Sequence, residues 1–172
     1  MYKRQGIHTG YGLGDKCSRV ESLARVGMRS VEQQYNYSNI DDLTLHAVKQ
    51  YDLSLRAYKK ENGILDFTDM IEQYNSALPV DICIFDEAQD LSWLQWKMIE
   101  RVITHAKRVY IAGDDDQAIY LWAGARPEFL INMEGTRTIL NKSYRLPQLI
   151  HAKANKLIKR IEDRVDKEWT SR

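Results

Sequence analysis

Two clusters of acidic residues carry the chemistry this sequence can do. Residues 83–90 read CIFDEAQD, where an apolar run ends in Asp86-Glu87 and Asp90 follows one Gln later. Residues 112–118 read AGDDDQA, where Asp114, Asp115 and Asp116 run into Gln117. Each cluster follows a short apolar run, 80–85 and 109–112, that reads as a parallel strand buried on both faces. In open α/β sheets, ligands bind beyond the carboxyl ends of the strands, so both clusters sit where a ligand would be met. Magnesium is a hard ion that keeps its waters and takes one or two carboxylates, and Asp86 is placed to hold it. Glu87, next along, is placed to orient and deprotonate an attacking water, and Gln117 to sense a γ-phosphate by hydrogen bond. That is the chemistry of nucleoside triphosphate hydrolysis. The bland alternative is that such acids cap a helix and fill a turn. Two clusters in the same placement weigh against it.

The elements that must position these residues follow from periodicity. Residues 18–60 are mostly helical in pattern, with Leu43, Ala47, Val48, Tyr51 and Leu55 on one face, a cap at Asn39 or Asp41, and a break at Asn62-Gly63. Residues 66–77 predict a short amphipathic helix opened by Asp66. Residues 91–106 predict a helix with Leu94, Met98, Ile99, Val102 and Ile103 facing inward. Residues 136–140, TRTIL, predict a third strand, and residues 146–165 a helix with Leu149, Ile150, Ala154, Leu157, Ile158 and Ile161 on its inner side. Strands alternating with helices argue for an α/β domain with a parallel sheet.

The 172 residues suffice for one domain with a real core, and 44% hydrophobic with 28% charged content reads as globular. No apolar run approaches the roughly 18 residues a membrane span needs, and no signal peptide is visible. Cys17 and Cys83 form no framework, which points to a reducing, cytoplasmic setting. The formal net charge is +1, so bulk charge argues for no nucleic-acid partner. His8, His46, His105 and His151 are scattered and make no metal-ligand spacing.

Longer stretches carry a resemblance. FDEAQD followed by Gln95, then AGDDDQAIYLWAGA, then SYRLPQLIHAKANKLI are similar to motifs II, III and IV of the UvrD/Rep-type superfamily 1 DNA helicases. LDFTDMI at 65–71 resembles the D-F-x-D-L segment that precedes motif II in that family. Together they cover about residues 65–160 in the family's order. The resemblance implies a P-loop NTPase of RecA-like fold, a parallel sheet flanked by helices, here incomplete and with a helical insertion. It implies ATP and Mg2+ as cofactors, single-stranded DNA and duplex junctions as partners together with accessory repair or replication proteins, and no membrane. Asp86 would bind the metal, Glu87 would be the catalytic base, and Gln117 would couple the γ-phosphate to the DNA site. Arg145 would reach the γ-phosphate as an arginine finger. Tyr120 and Trp122 would line the single-strand track, with Trp122 stacking a base. Read without the motif, that aromatic pair would be core. Two departures weaken particular contacts: Ala123 stands where many relatives have Arg, and Ser143 where Asn is usual. Asp115 and Asp116 match loosely constrained positions and receive no catalytic role.

A hydrolase of this kind needs a phosphate loop. Residues 6–18, GIHTGYGLGDKCS, are Gly-rich, but Asp15 splits Gly14 from Lys16 and Cys17 stands where a hydroxyl should meet magnesium. An acid inside a phosphate nest repels the ligand, so this stretch is not the loop. Gly6-Ile7-His8-Thr9 resembles the family segment that follows the loop and touches single-stranded DNA, which makes His8 and Thr9 DNA-contact candidates. Residues 1–5, MYKRQ, resemble a translated sequencing adaptor. The expected organisation is residues 1–5 as an artefact, 6–65 as a helical insertion region, 66–135 as the later part of a first motor domain, and 136–172 as the start of a second. Motifs V and VI are not seen, so the chain is expected to be cut on both sides, and by itself to bind ATP poorly, hydrolyse none and aggregate. The rival reading is a naturally short, non-catalytic DNA- or partner-binding protein. A milder one is a helicase–nuclease subunit.

Overall fold

The computed structural model describes residues 12–162 and 164–171. His8, Thr9 and the stretch read as an artefact lie outside them. The chain divides into two compact units, one of residues 12–83 and Ser92–Arg108, the other of Ile84–Leu91 and residues 109–171.

The first unit is helical. Helices α1 (Leu13–Val26), α2 (Val31–Ser38) and α3 (Leu45–Asn62) pack around Cys17, Val20, Leu43 and Val48, with Val31, Tyr35, Ile40, Ala47 and Tyr51 closing the edges. The starts of α2 and α3 are chemically specified. Ser30 accepts from the Gln33 N–H while the Gln33 side chain accepts from the Ser30 N–H, a reciprocal cap. Thr44, not Asn39 or Asp41, caps α3, accepting from the Ala47 N–H. Asn39 instead ends α2 in the left-handed region, and Gly63 ends α3 there, as its sequence predicts. Lys16, which a phosphate loop would turn toward its ligand, donates to the Asp41 carbonyl at 2.8 Å.

Helix α4 (Phe67–Gln73) opens at Asp66, as expected, and Asp66 and Asp69 exchange backbone-to-carboxylate bonds across its first turn. The same two acids have a second task. The Arg25 guanidinium reaches Glu72 through two prongs, at 3.0 and 2.9 Å, and also Asp66 at 3.0 Å and Asp69. Lys59 joins from α3, pairing with Asp66 and with Asp69 at 2.9 Å. The D-F-x-D segment therefore fastens α4 to α1 and α3. Burial opposes the charge on Arg25, but its bonds to Glu72 and the field of Asp66 hold it above its ordinary value. Burial likewise pushes the Asp66 carboxyl up, and the bonds from Lys59 and Asp69 with the Arg25 charge more than reverse that, leaving it well below the carboxylate range. Helix α5 (Trp93–Val102), capped reciprocally by Ser92 and Gln95, completes the unit with Leu94, Trp96, Ile99 and Val102 buried.

Strands β1 (Ile82–Phe85) and β2 (Arg108–Ile111) form a two-stranded sheet. The Arg108 N–H donates to the Asp81 carbonyl and the Ala112 N–H to that of Phe85, so the partners advance together, as in a parallel pair. The expectation that β1 is buried on both faces is overturned. Cys83 is buried, but Ile84 is 74% exposed, because a sheet of two strands covers one face here and nothing among the described residues lies on the other.

In the second unit, α6 (Glu128–Ile131) follows the strand-end loops. The expected strand at 136–140 is absent; Leu140 is exposed there and no chain pairs with it. The strand forms just beyond, where β3 (Lys142–Ser143) pairs in parallel with β4 (Thr170–Ser171). Between them lies α7 (Gln148–Ile158), shorter than the expected 146–165. Its period was legible but its phase was not. His151 is buried with Ala154, Asn155 and Ile158 half-covered on its side, while Leu149, Ile150 and Leu157 face out. The architecture is thus mixed α/β with short parallel pairs, and no described helix is long and apolar enough to cross a membrane.

Arg25→Met leaves Glu21 and Asp69 as buried charges without their main partner, and we expect a loss of about 3–5 kcal/mol in urea denaturation followed by helical circular dichroism. Because the folded-state value of Asp66 is depressed, its contribution is fully present at neutral pH and is lost only as pH falls below about 4.

Candidate functional site

The carboxyl ends of β1 and β2 bring the two acidic clusters together within the second unit. The chain leaves β1 at Asp86, whose carboxylate accepts from the Glu87 N–H at 2.9 Å. Glu87 takes the left-handed conformation (φ 54°), an uncommon position for a residue with a side chain, and the chain turns there into a single 3-10 turn, Ala88–Asp90. Asp86 and Glu87 are both exposed. The turn leaves both carboxylates exposed at the end of the strand.

Gln89 makes the two loops one structure. It is 1% exposed, among the most buried side chains described. Its Nε2 donates to Glu87 Oε2 at 2.7 Å and its Oε1 accepts the Asp114 N–H at 3.0 Å. The Ala88 N–H donates to the Ala112 carbonyl beside it. A side chain at position 113 has no room: a Cβ there would lie 2.6 Å from Leu130 Cδ2 and 2.7 Å from Gln89 Oε1. Gly113 is thus required by close approach.

After β2, Asp114 caps the 3-10 turn Asp115–Gln117, accepting from the Asp116 N–H. Gln117 is exposed and donates from Nε2 to Asp114 Oδ2 at 2.6 Å. Tyr120 and Trp122 come next on a further 3-10 turn, Leu121–Ala123. They are 45% and 67% exposed with ring centroids 6.3 Å apart and planes tilted by 53°. The core alternative for this pair is thereby overturned; the rings face solvent with Ile119 and Leu121. Arg145 is exposed between β3 and α7 and makes no hydrogen bond or ion pair among the described residues. The structure therefore gathers Asp86, Glu87 and Gln117 through Gln89 and Asp114, places Tyr120 and Trp122 on the same segment as Gln117, and leaves Arg145 outside the hydrogen-bonded set.

No described group of three or more His, Cys, Asp or Glu is arranged to hold a metal. Asp86 offers an exposed carboxylate with one oxygen unused by the Glu87 N–H. That donor set fits magnesium, which takes few carboxylates and completes its shell with water and phosphate. Sequence reasoning gave Gln89 no role, and placed Asp114 at the strand end without seeing the bonds it makes to Gln89 and Gln117. The signal for Gln89 was a polar residue at the one position of FDEAQD where the chain must turn back into the core.

Similarity to known proteins follows the same residues. The UvrD/REP helicase N-terminal domain family matches residues 16–137. A putative ATP-dependent DNA helicase of Bacillus subtilis, YjcD, is 30% identical over 63% of this chain and 17% of its own length. The DNA helicase II of Escherichia coli K12 is 39% identical over 51% of the chain and 13% of its length. The ATP-dependent DNA helicase Rep of Salmonella typhimurium is 31% identical over 53% of the chain and 15% of its length. The chain thus spans less than a fifth of each of these relatives.

Gly113→Ala forces Gln89 or the Ala88 backbone to move. We expect it to cost about 1–3 kcal/mol in chemical denaturation and to speed hydrogen exchange at the Asp114 amide. An Asp114 amide as protected as in the parent chain would refute the close-approach argument.

Proposed function

The chain belongs to the UvrD/REP helicase N-terminal domain family, and from that premise we propose that it works within an ATP-dependent DNA helicase, one that uses Mg-ATP hydrolysis to move along single-stranded DNA and unwind duplex. The observation that carries this reading is the Gln89 bridge, which ties an exposed carboxylate at one strand end to the loop bearing an exposed glutamine at the next.

In this reading the fold is RecA-like, with residues 66–135 in a first motor domain and 136–172 opening a second. Asp86 would hold magnesium, which when bound would neutralise charge on the phosphates. Glu87 accepts the proton of the attacking water, and the Gln89 amide aims its carboxylate by holding Oε2 while leaving Oε1 free of that bond. Gln117 exchanges its bond to Asp114 for one to the γ-phosphate. Arg145, exposed and unpaired among the described residues, adds a cation to the transferring phosphoryl when its segment closes on the site. Tyr120 and Trp122 offer stacking faces a few residues beyond Gln117, so phosphate sensing and base contact share one short stretch of backbone. Such a platform reads no sequence, which suits an enzyme that must step along any strand.

The test uses the product of the complete reading frame that carries these residues. Single-stranded DNA should stimulate its ATP hydrolysis, and Glu87→Gln should lower kcat by about 10²–10⁴-fold while nucleotide still binds. Trp122→Ala should weaken single-strand binding by about 1–3 kcal/mol. Strand binding with no hydrolysis in the parent protein would replace this reading with the non-catalytic one.

A further inference from the structure

The three acids after β2 have more to do than follow a motif. All are tied to one short stretch of chain, residues 164–167. Lys167 Nζ lies 2.7 Å from Asp114 Oδ1, 2.5 Å from Asp115 Oδ1 and 3.1 Å from Asp116 Oδ2. Arg164 meets Asp116 as a fork, Nε to Oδ1 at 2.7 Å and Nη2 to Oδ2 at 2.9 Å. The Val165 N–H donates to Asp115 Oδ2 at 2.7 Å. These groups are largely out of water, the Asp116 side chain at 1% exposure and that of Lys167 at 9%.

Three neighbouring carboxylates repel one another, and buried ones remain ionised only beside cations. Burial pushes the Asp116 carboxyl up, but its bonds from Arg164 and Lys167 outweigh this and hold it below the usual range. Burial opposes the Lys167 charge, and the three carboxylates more than restore it. Each carboxylate of the cluster meets a cation or a backbone N–H through direct, charge-assisted bonds.

The clamped loop is the one that bears the site. Asp114 gives one carboxylate oxygen to Lys167 and the other to the Gln117 amide. Its N–H goes to Gln89, which holds Glu87. We propose that Lys167 and Arg164 are positioning residues for ATP hydrolysis: they clamp the Asp114–Asp116 loop and, through Asp114, set both the sensing glutamine and the catalytic carboxylate. The inference rests on the roles given to Glu87 and Gln117 above.

Two consequences follow from charge and connectivity. A triphosphate brings further negative charge to these strand ends, and three bare carboxylates there would oppose its binding. Lys167 and Arg164 cancel most of that field from the inner side, where they do not compete for the phosphates. The clamp also reaches Arg145. Strand β4 begins three residues after Lys167 and pairs with β3, which ends two residues before Arg145, with Lys142 opposite Thr170 and Ser143 opposite Ser171. A shift of the Arg145 segment therefore pulls on the ion pairs that hold Asp114, the partner of Gln117. The device links the position of the arginine to the geometry of the sensor through contacts that are all present in one unit.

The experiment compares the parent full-length product with Lys167→Met, Lys167→Arg and Arg164→Lys, reading amide hydrogen exchange and steady-state ATP hydrolysis with single-stranded DNA. In Lys167→Met we expect exchange at the Gln117, Ala118 and Val165 amides to rise at least about tenfold, with α3 amides unchanged. We expect kcat to fall about 10–100-fold with KM for ATP raised, and Lys167→Arg, which keeps the charge, to recover most of both. Arg164→Lys, which gives up only the fork, should show the same signs at smaller size, and it decides the matter if Lys167→Met loosens the α3 amides as well. Unchanged exchange at Gln117 overturns the clamp. Raised exchange with kcat and KM at parent values overturns the positioning role. Raised exchange in a protein whose parent form hydrolyses no ATP overturns the helicase reading and the catalytic half of this inference together, and shows the clamp to be structural.

Discussion

The Gln89 carboxamide is sealed from water, so both of its polar ends must be satisfied by protein, and the partners it finds fix the rest of the site. Its NH2 group requires an acceptor, and Glu87, in a left-handed backbone, supplies the close one at 2.7 Å, with Asp90 Oδ2 a longer one at 3.4 Å. Its carbonyl requires a donor, and the Asp114 N–H supplies one only if the chain after β2 passes close enough that residue 113 carries no side chain. One buried amide thereby accounts for a strained glutamate, a glycine, and the spacing between two loops that are 25 residues apart in sequence. Leaving either end unpaired would cost about 1–3 kcal/mol, comparable to the strain it sustains.

The helical unit solves a similar problem with ions. Arg25 is buried among Glu21, Asp66, Asp69 and Glu72, and Lys59 shares two of those acids. Such a network adds little to stability relative to an apolar core of the same volume, but it is intolerant of misplacement, since any helix that docks out of register strands a charge. The small core around Val20 and Val48 supplies the cohesion, and the network selects the register. The D-F-x-D stretch is therefore a structural signature in this chain, with Asp66 acting at once as helix cap and as ion-pair partner.

What the sequence made legible were features decided locally. Asp66 as a cap, Gly63 as a stop, the strand ends at Asp86 and Asp114, and the helix carrying Leu94, Ile99 and Val102 all depend on residues within a turn of one another. What it hid were features decided by a distant partner. The phase of α7 is set by which side finds cover, so Leu149 and Leu157 face out despite a regular apolar period. Residues 136–140 have strand-like composition but no neighbour to pair with. The bonds of Asp116 to Arg164 span 48 residues and leave no trace in local pattern, which is why the acidic triplet reads as loosely constrained until its cations are seen. Tyr120 and Trp122 show the converse: composition favours burial, the motif context favours exposure, and the structure sides with the motif.

As the proposed phosphate sensor, Gln117 must be able to let go of its resting partner. Gln117 donates to an Asp114 oxygen, a charge-assisted bond that would be too strong to surrender if that carboxylate depended on it. It does not, because Lys167 holds the other oxygen of Asp114 and Gln89 takes the backbone N–H of the same residue. In that proposal, an outward turn of the Gln117 amide leaves Asp114 held by Lys167 and Gln89. The exchange then costs no more than the net value of one exposed hydrogen bond, about 0.5–1.5 kcal/mol, which a bond to a phosphate oxygen repays. Weakness at the moving part is possible because the loop behind it is pinned by groups that do not move.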